Sequence, residues 1–329
     1  MKTKILGERK RRLEELMRKA QEDPVIKEAL EQKGTRQDNQ IVQTSGVSLE
    51  LYKKLKRDSE INAVAFSPLS DELAIVENRN EVGIIDILHN SYLCDFHNYP
   101  AEVINAVAFH PHWGNDKYYL VSGGDIGVLR LFIYDSISKK MNHFEKMLQF
   151  HPINALDFSQ DMKYLAIGTD KELQIYEIKG ILGKLDLKHV ISKDYYPHQI
   201  SGVSFCKEEF DKEKLVVAES DKVSFYFWTP KSKLSKLFEI PRWKITDPHK
   251  IIDVAFHPDG RHIAVACEDK MVSIFESPDD PVSLKIPKRV WHQLYDSHVT
   301  GVDFSPDGRA FVNSTEDGII YIYHIKNGS

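Results

Sequence analysis

One short apolar phrase recurs six times along the chain. The copies are INAVAFSP from Ile61, INAVAFHP from Ile104, INALDFSQ from Ile153, ISGVSFCK from Ile200, IIDVAFHP from Ile251 and VTGVDFSP from Val299. Their starts lie 43 to 51 residues apart, a period at which one supersecondary unit repeats. The fourth and sixth residues of each copy, Val64 and Phe66 in the first and Val302 and Phe304 in the last, share one face of a two-residue period. Each copy therefore predicts an inner strand. A turn follows, explicit as Pro258-Asp259-Gly260 and Pro306-Asp307-Gly308, and then a second apolar run such as LAIGTD, LVVAESD or IAVACED. A second turn is centred on Asp170, Asp221, Asp269 or Asp317. The third strand reads ELQIYEI, KVSFYFW, MVSIFES or IIYIYHI, and a less regular fourth leads into the next copy.

The repeat is thus a four-stranded antiparallel meander, too small to bury its own apolar faces. Several must stack, and radial stacking also protects the sheet edges. The expected fold is all-β, a six-bladed β-propeller of four-stranded antiparallel blades, with an N-terminal α-helical arm. The last copy supplies only three strands before Ser329, so the strand-like segment 47–55 (VSLELYKKL) is expected to close the last blade. This divides the chain into an arm over 1–36, a polar linker over 37–46 and a propeller over 47–329.

Composition narrows the function classes. Among 329 residues, 44 Lys and Arg against 49 Asp and Glu leave a net charge of -5, and 42% are hydrophobic, which excludes wholesale disorder. No stretch has the roughly 20 apolar residues of a membrane-spanning helix, and MKTKILGERKRR runs into charge where a secretory signal would need an apolar segment, so none is expected. Glu8, Glu14 and Glu15 argue against a transit peptide. The odd, well-separated Cys94, Cys206 and Cys267 suit a reducing compartment, and a cytoplasmic location is expected with a nuclear one left open. Residues 1–36 carry eleven Lys or Arg against seven Asp or Glu. Leu6, Leu13, Leu16, Met17 and Ala20 recur near helical spacing, and Asp23-Pro24 would cap a second short helix with an apolar stripe of Val25, Ile26, Ala29 and Leu30. Such stripes suit docking on a partner, a short coiled coil or packing on the propeller. The cluster Arg9–Arg12 reads as a solvated helix face, since a nucleic-acid surface would be broader and more basic.

Signatures of catalysis are missing. There is no GxSxG, HExxH or GxxxxGK[ST], and Gly123-Gly124-Asp125-Ile126-Gly127 lies between two meander strands, so it reads as a hairpin loop. His89, Cys94, His97, His110 and His112 cluster in sequence, but Cys94 and His97 have odd spacing on one strand and point to opposite faces. No metal or cofactor is expected. Trp113, Trp228, Trp243 and Trp291 do not repeat at one blade position.

The phrase VTGVDFSPDGRAFVNSTEDGIIYIYHI resembles the repeat of the WD40 (WD-repeat) β-propeller family, and the resemblance covers roughly residues 45–326. It implies a rigid, non-enzymatic platform that binds a protein or peptide partner, often on the face made by the loops before the first strand and between the second and third. The sequence departs from the family pattern. The third-strand Trp position holds Ile85, Phe132, Tyr176, Tyr226, Phe275 and Tyr323, and a buried Ser or Thr of the second strand is replaced by Ile167, Val217 and Val265. The blades are expected to rely more on aromatic packing than on buried polar networks. The turn residues Asp125, Asp170, Asp221, Asp269 and Asp317 persist, and His151, His198, His249 and His298 precede four of the inner strands at the same end. These are expected to hold loops within blades, with a ring of ligand-contacting groups as the sharper reading. By position, Arg57, Tyr99, His151, Tyr196, His198, His249 and His298 are candidate partner contacts, with Leu13, Leu16 and Met17 of the arm as a second contact. The rival reading is a propeller hydrolase or isomerase with a metal in the central channel. It requires several carboxylates or imidazoles converging there.

Overall fold

In the computed structural model, the residues described are 47–97, 102–111, 117–147, 151–180, 186–195, 199–207, 213–220, 222–229, 233–241, 249–276 and 287–327. The expected arm over 1–36 and linker over 37–46 lie outside them. Twenty-four strands form six four-stranded antiparallel sheets. Blade 1 comprises β2 (Ile61–Phe66), β3 (Glu72–Glu77), β4 (Glu81–Asp86) and β5 (Ser91–His97). Blade 2 follows with β6 (Ile104–Phe109), β7 (Lys117–Gly124), β8 (Val128–Asp135) and β9 (Lys140–Met147), and blade 3 with β10 (Ile153–Phe158), β11 (Tyr164–Thr169), β12 (Glu172–Gly180) and β13 (Asp186–Asp194). Blade 4 is β14 (Ile200–Lys207), β15 (Glu213–Glu219), β16 (Lys222–Thr229) and β17 (Lys233–Pro241); blade 5 is β18 (Ile251–Phe256), β19 (His262–Cys267), β20 (Met271–Glu276) and β21 (Lys288–Leu294). Blade 6 takes β22 (Val299–Phe304), β23 (Ala310–Thr315) and β24 (Ile319–Asn327) from the C-terminus. Its fourth strand is β1 (Val47–Lys56), paired antiparallel with β24. The closure expected from the missing fourth strand is present, one residue longer than the pattern indicated.

The core is six inter-blade layers. Each apolar cluster draws side chains from two neighbours: Val290 and Trp291 of blade 5 pack with Phe304, Phe311 and Tyr323 of blade 6. Across the closure, Leu55, Val312 and Ile320 of blade 6 meet Ile61, Phe66 and Leu73 of blade 1. The recurring Phe of the repeated phrase sits in these layers because its face of the inner strand is turned to the adjacent blade. The inner strands approach the axis closely, and their third and fifth positions are accordingly small or short: Ala63 and Ala65, Ala106 and Ala108, Gly202 and Ser204, Gly301 and Asp303. A Cβ at Gly202 would lie 2.8 Å from the backbone nitrogen of Val254 in the next blade. The glycine-rich segment is the hairpin expected, the β7–β8 turn, with Gly127 N–H donating to the Gly124 carbonyl at 3.1 Å.

Polar groups also cross between blades. The expectation of aromatic packing in place of buried networks holds only in part, because tyrosine hydroxyls take over the bonding. Tyr295, just beyond β21, donates to Asn313 Oδ1 of β23 at 2.8 Å, and its hydroxyl lies 2.9 Å from that of Tyr323 on β24. Tyr195, just beyond β13, donates to the Tyr226 hydroxyl of β16 at 2.8 Å. Asn313 occupies the second-strand position where Ile167, Val217 and Val265 stand in other blades, as the pairing with Val302 shows. Between blades 1 and 2, Arg130 on β8 forms an ion pair with Glu102, both almost wholly buried.

Two expectations follow from this packing. Leu55→Ala removes the side chain that seals the closure layer and lowers unfolding free energy by about 2–5 kcal/mol in a urea titration. Glu102→Ala strands a buried guanidinium and costs about 3–5 kcal/mol, whereas replacing both partners together by apolar residues of similar volume recovers most of that loss.

Candidate functional site

The site is built by one irregularity repeated six times. In every blade the ladder between first and second strands shifts register between the first and third residues of the phrase, as between Ile61 and Ala63 or Val299 and Gly301. The second residue is the extra one of a β-bulge, left without a partner across the ladder. It is Asn62, Asn105, Asn154, Ser201, Ile252 and Thr300 in turn, polar in five of six. These residues line one mouth of an axial cavity of about 1650 Å3 or the small depression beside it. Asn105 Nδ2 donates to the Ile153 carbonyl at 3.1 Å and ties blade 2 to blade 3, while Thr300 and Ser314 share a hydroxyl contact of 2.9 Å. Asn62 Oδ1, Asn154 Nδ2 and Ser201 Oγ are buried polar atoms with no hydrogen-bond partner among the described residues. The cavity's opposite mouth is lined by the turns that carry Pro68, Leu69, Ile137, Met162, Pro258 and Pro306, with Asp71, Ser136, Lys139 and Gln160 among them.

Deeper in the channel the fifth residue of the phrase joins neighbouring inner strands. Asp157 Oδ2 accepts from Phe205 N–H at 2.6 Å, Ser204 Oγ from Phe256 N–H at 3.1 Å and Asp303 Oδ2 from Phe66 N–H at 2.7 Å. Asp253, at the third position, accepts from Val302 N–H at 3.0 Å. Each of these N–H groups lies on the edge of a sheet, where no strand of its own blade can pair with it. Burial pushes the carboxyls of Asp157, Asp253 and Asp303 up to about 7; the repulsion each feels from another of the three adds to it, against the backbone bonds. The sequence pattern missed these residues, although a polar fifth position amid Ala65, Ala108 and Ala255 was the available signal. The rival reading asked for carboxylates converging on the axis. Three do line the channel, but they are spent on backbone N–H groups, and among the described residues only His257, Asp259 and His262 bring three ligand atoms within 4.8 Å of one another.

The candidate contacts inferred by position are distributed as follows. Arg57 Nε pairs with Glu77 at 2.9 Å and its guanidinium lies over the Tyr92 ring at 4.2 Å. His151 Nδ1 is 3.4 Å from Asp170 Oδ1 in the same blade. His298 does not meet Asp317 of its own blade; its Nδ1–H donates at 2.9 Å to the Glu268 carbonyl of the preceding one, because the chain enters blade 6 beside the β19–β20 turn. His249 is exposed ahead of β18. Asp125 accepts from Val103 N–H at 3.0 Å, Asp269 from Met271 N–H at 3.1 Å and Asp317 from the Thr315 hydroxyl at 2.6 Å, so these three hold their turns. Tyr99, Tyr196, His198, Asp221, Leu13, Leu16 and Met17 lie outside the described residues. His89, Cys94 and His110 are not brought together: His89 bonds Asp86, His110 packs on Phe158, and burial pushes the Cys94 thiol up to about 12.

Six four-stranded sheets with no helix among the described residues, a small-residue axis and β1 closing the last sheet define a six-bladed β-propeller. The family described as "WD domain, G-beta repeat" matches residues 143–177, 242–276 and 289–324. The first and third matches begin on the fourth strand of one blade and end on the third strand of the next, the same offset that lets β1 close blade 6. The chain is a WD40-repeat β-propeller.

Among solved structures it is similar to the β-propeller domain of Cps50 (Swd1) from Myceliophteria thermophila, with 13% identity over 85% of this chain and 100% of that one and a TM-score of 0.60. The RRP9 WD40 repeats align at 10% identity over 88% and 100% with a TM-score of 0.59, and a chain of the mitotic checkpoint complex at 16% over 81% and 77% with a TM-score of 0.55. These likenesses concern the fold. No curated protein sequence matches the chain.

The channel carboxyls carry a pH signature. A carboxyl near 7 when folded and 3.8 when unfolded binds more protons in the native state, so its contribution to stability is full below about pH 4 and is lost as pH rises through 7. Asp303→Ser, which copies the bond made by Ser204 in blade 4, should therefore raise the thermal midpoint more at pH 8 than at pH 5.5, as read by scanning calorimetry.

Proposed function

We propose that the chain is a non-enzymatic interaction scaffold that binds a protein or peptide segment at the polar mouth of its channel, on the face of the loops preceding the inner strands. The observation that carries this reading is the ring of bulged residues. Three of its buried polar atoms, Asn62 Oδ1, Asn154 Nδ2 and Ser201 Oγ, have no partner within the described chain. Unpaired polar groups of this kind cost free energy that an incoming backbone amide or side chain recovers. A ring of neutral amides and hydroxyls suits the N–H and C=O groups of an inserted loop or extended tail. The framework holds these groups on strands and so presents them at little ordering cost. His249 and the neighbouring loops would form the rim of the contact.

Residues 1–36, with Leu13, Leu16 and Met17, are proposed as a second contact that recruits another partner or anchors the propeller in a complex. A cytoplasmic setting, with a nuclear one left open, is consistent with the three free thiols. The channel carboxylates favour structure over catalysis, since their oxygens already accept backbone N–H bonds.

The test is affinity purification from the native cell with the full chain and with Asn62→Ala/Asn154→Ala/Ser201→Ala. The variant should keep its thermal midpoint to within a few degrees, because the one bond it deletes among the described residues is the long contact from Asn105 Nδ2 to Asn154 Oδ1 at 3.4 Å, and should lose the partner recovered by the parent chain. An unchanged partner set with the triple variant overturns the assignment of this mouth. A chain beginning at Gln40 reads the arm separately: loss of one partner with the mouth intact identifies residues 1–39 as the recruiting element.

A further inference from the structure

The first turn of blade 5 carries chemistry that its fold does not require. In blade 6 the corresponding turn reads Ser305-Pro306-Asp307-Gly308-Arg309-Ala310, and in blade 5 it reads His257-Pro258-Asp259-Gly260-Arg261-His262. The four central residues are identical, and the two turns close alike. Ser305 N–H donates to the Ala310 carbonyl at 2.9 Å, as His257 N–H does to that of His262 at 2.9 Å. Blade 6 makes this turn with a hydroxyl and a methyl, and blade 3 makes it with Ser159 and Tyr164. Two imidazoles in blade 5 are therefore additional to what the turn needs.

They converge on one carboxylate. His257 Nδ1 lies 3.0 Å from Asp259 Oδ1, and His262 Nδ1 lies 2.7 Å from Asp259 Oδ2. The side chains of His257 and His262 are 12% and 14% exposed and that of Asp259 34%, so the group is open to solvent on the carboxylate side. The far nitrogen of His257 is already committed. Its Nε2 is 2.9 Å from the carbonyl oxygen of Gly308, which only accepts, so Nε2 carries the proton and Nδ1 holds the lone pair in the neutral ring. A ring nitrogen held in its tautomer by a backbone carbonyl is the usual outer-shell arrangement of a metal-ligating histidine. Phe304 stacks edge-on to the same ring at 5.1 Å, which fixes its plane. The neutral Nδ1 then faces a carboxylate oxygen acceptor to acceptor. The Asp259 N–H at 3.1 Å relieves this in part, and either a proton on Nδ1 or a metal cation between the two completes the relief.

We propose that His257, Asp259 and His262 bind a divalent transition-metal ion of the zinc class at the end of the propeller that carries the turns between first and second strands. Nδ1 of both histidines and one carboxylate oxygen supply three ligands, and water takes the fourth. Two imidazoles with one carboxylate suit zinc and its neighbours rather than calcium or magnesium, which take oxygen ligands. Bond lengths of about 2.0–2.2 Å put tetrahedral ligand atoms about 3.3 Å apart, and the ligand atoms of the three side chains already lie within 4.8 Å of one another. On binding, the proton of His262 moves from Nδ1 to Nε2 by exchange with solvent, so that both rings ligate as neutral imidazoles. Through the His257–Gly308 bond the ion would clamp blade 5 to blade 6.

Isothermal titration of the chelator-treated full chain with Zn2+ should give one site per chain in the micromolar range or tighter. The same zinc should raise the thermal midpoint. His257→Ser/His262→Ala rebuilds the end residues of the blade 6 turn and should fold while losing both effects. His262→Ala alone should weaken binding by at least about tenfold, since outer-shell partners already cost about 10–100-fold. Titration with no binding below about 100 μM, or binding unchanged in the double variant, overturns the assignment. Should the double variant not fold, nitrogen NMR of the parent chain decides. Zinc must shift the Nδ1 resonances of His257 and His262 together, and zinc binding that leaves them unmoved refutes the site.

Discussion

Every blade depends on burying its two faces against its neighbours. A four-stranded sheet has no core of its own, and each of the six apolar layers is shared between adjacent blades. The ring therefore has to close, and the layer between blades 6 and 1 requires β1 to cross back from the N-terminal side of the propeller to β24. Closure by a strand from the other end of the chain makes the last layer equivalent to the other five. Burial of this kind is non-directional, so it selects the ring without selecting how the inner strands meet at the axis.

Directional bonds make that selection. The edge of each inner strand offers backbone N–H groups that its own blade leaves unpaired, and a side chain of the preceding blade accepts one of them at four of the six junctions. Three of these acceptors are carboxyls whose pKa is raised by burial and by one another. Ser204 makes the bond without a charge. At the mouth above them, the bulge common to all six ladders turns a further polar residue out of the pairing. The same irregularity that lets the strands crowd the axis also produces the ring proposed to meet a partner. The opposite end is built from turns that bear Pro68, Pro258 and Pro306 in place of bulged residues, so the two mouths differ because they lie at opposite ends of the same strands.

Much of this was legible in the sequence. Period, strand face and recurring Phe were visible because they are local, and the missing fourth strand of the final repeat pointed to 47–55. The candidate contacts were less well served. Arg57 and His298 were candidate contacts by position alone, and their polar atoms are engaged by Glu77 and by the Glu268 carbonyl, partners 20 and 30 residues away. The polar second and fifth positions were in plain view in six aligned copies. Strict alternation assigned them to faces without a bulge and gave no reason to single them out.

The order of strands, the number of blades and the borrowed closing strand were determined by the chain's own periodicity, because hydrophobic alternation and turn residues act over a few neighbours. The tertiary structure alone decided which polar groups meet: Asp303 with Phe66 N–H across 237 residues, Tyr295 with Asn313, and His257 with Gly308. Those encounters depend on how far each strand slides past the next and where each bulge falls. Such displacements are set by the fit of neighbouring blades around a closed ring, and no local pattern encodes them.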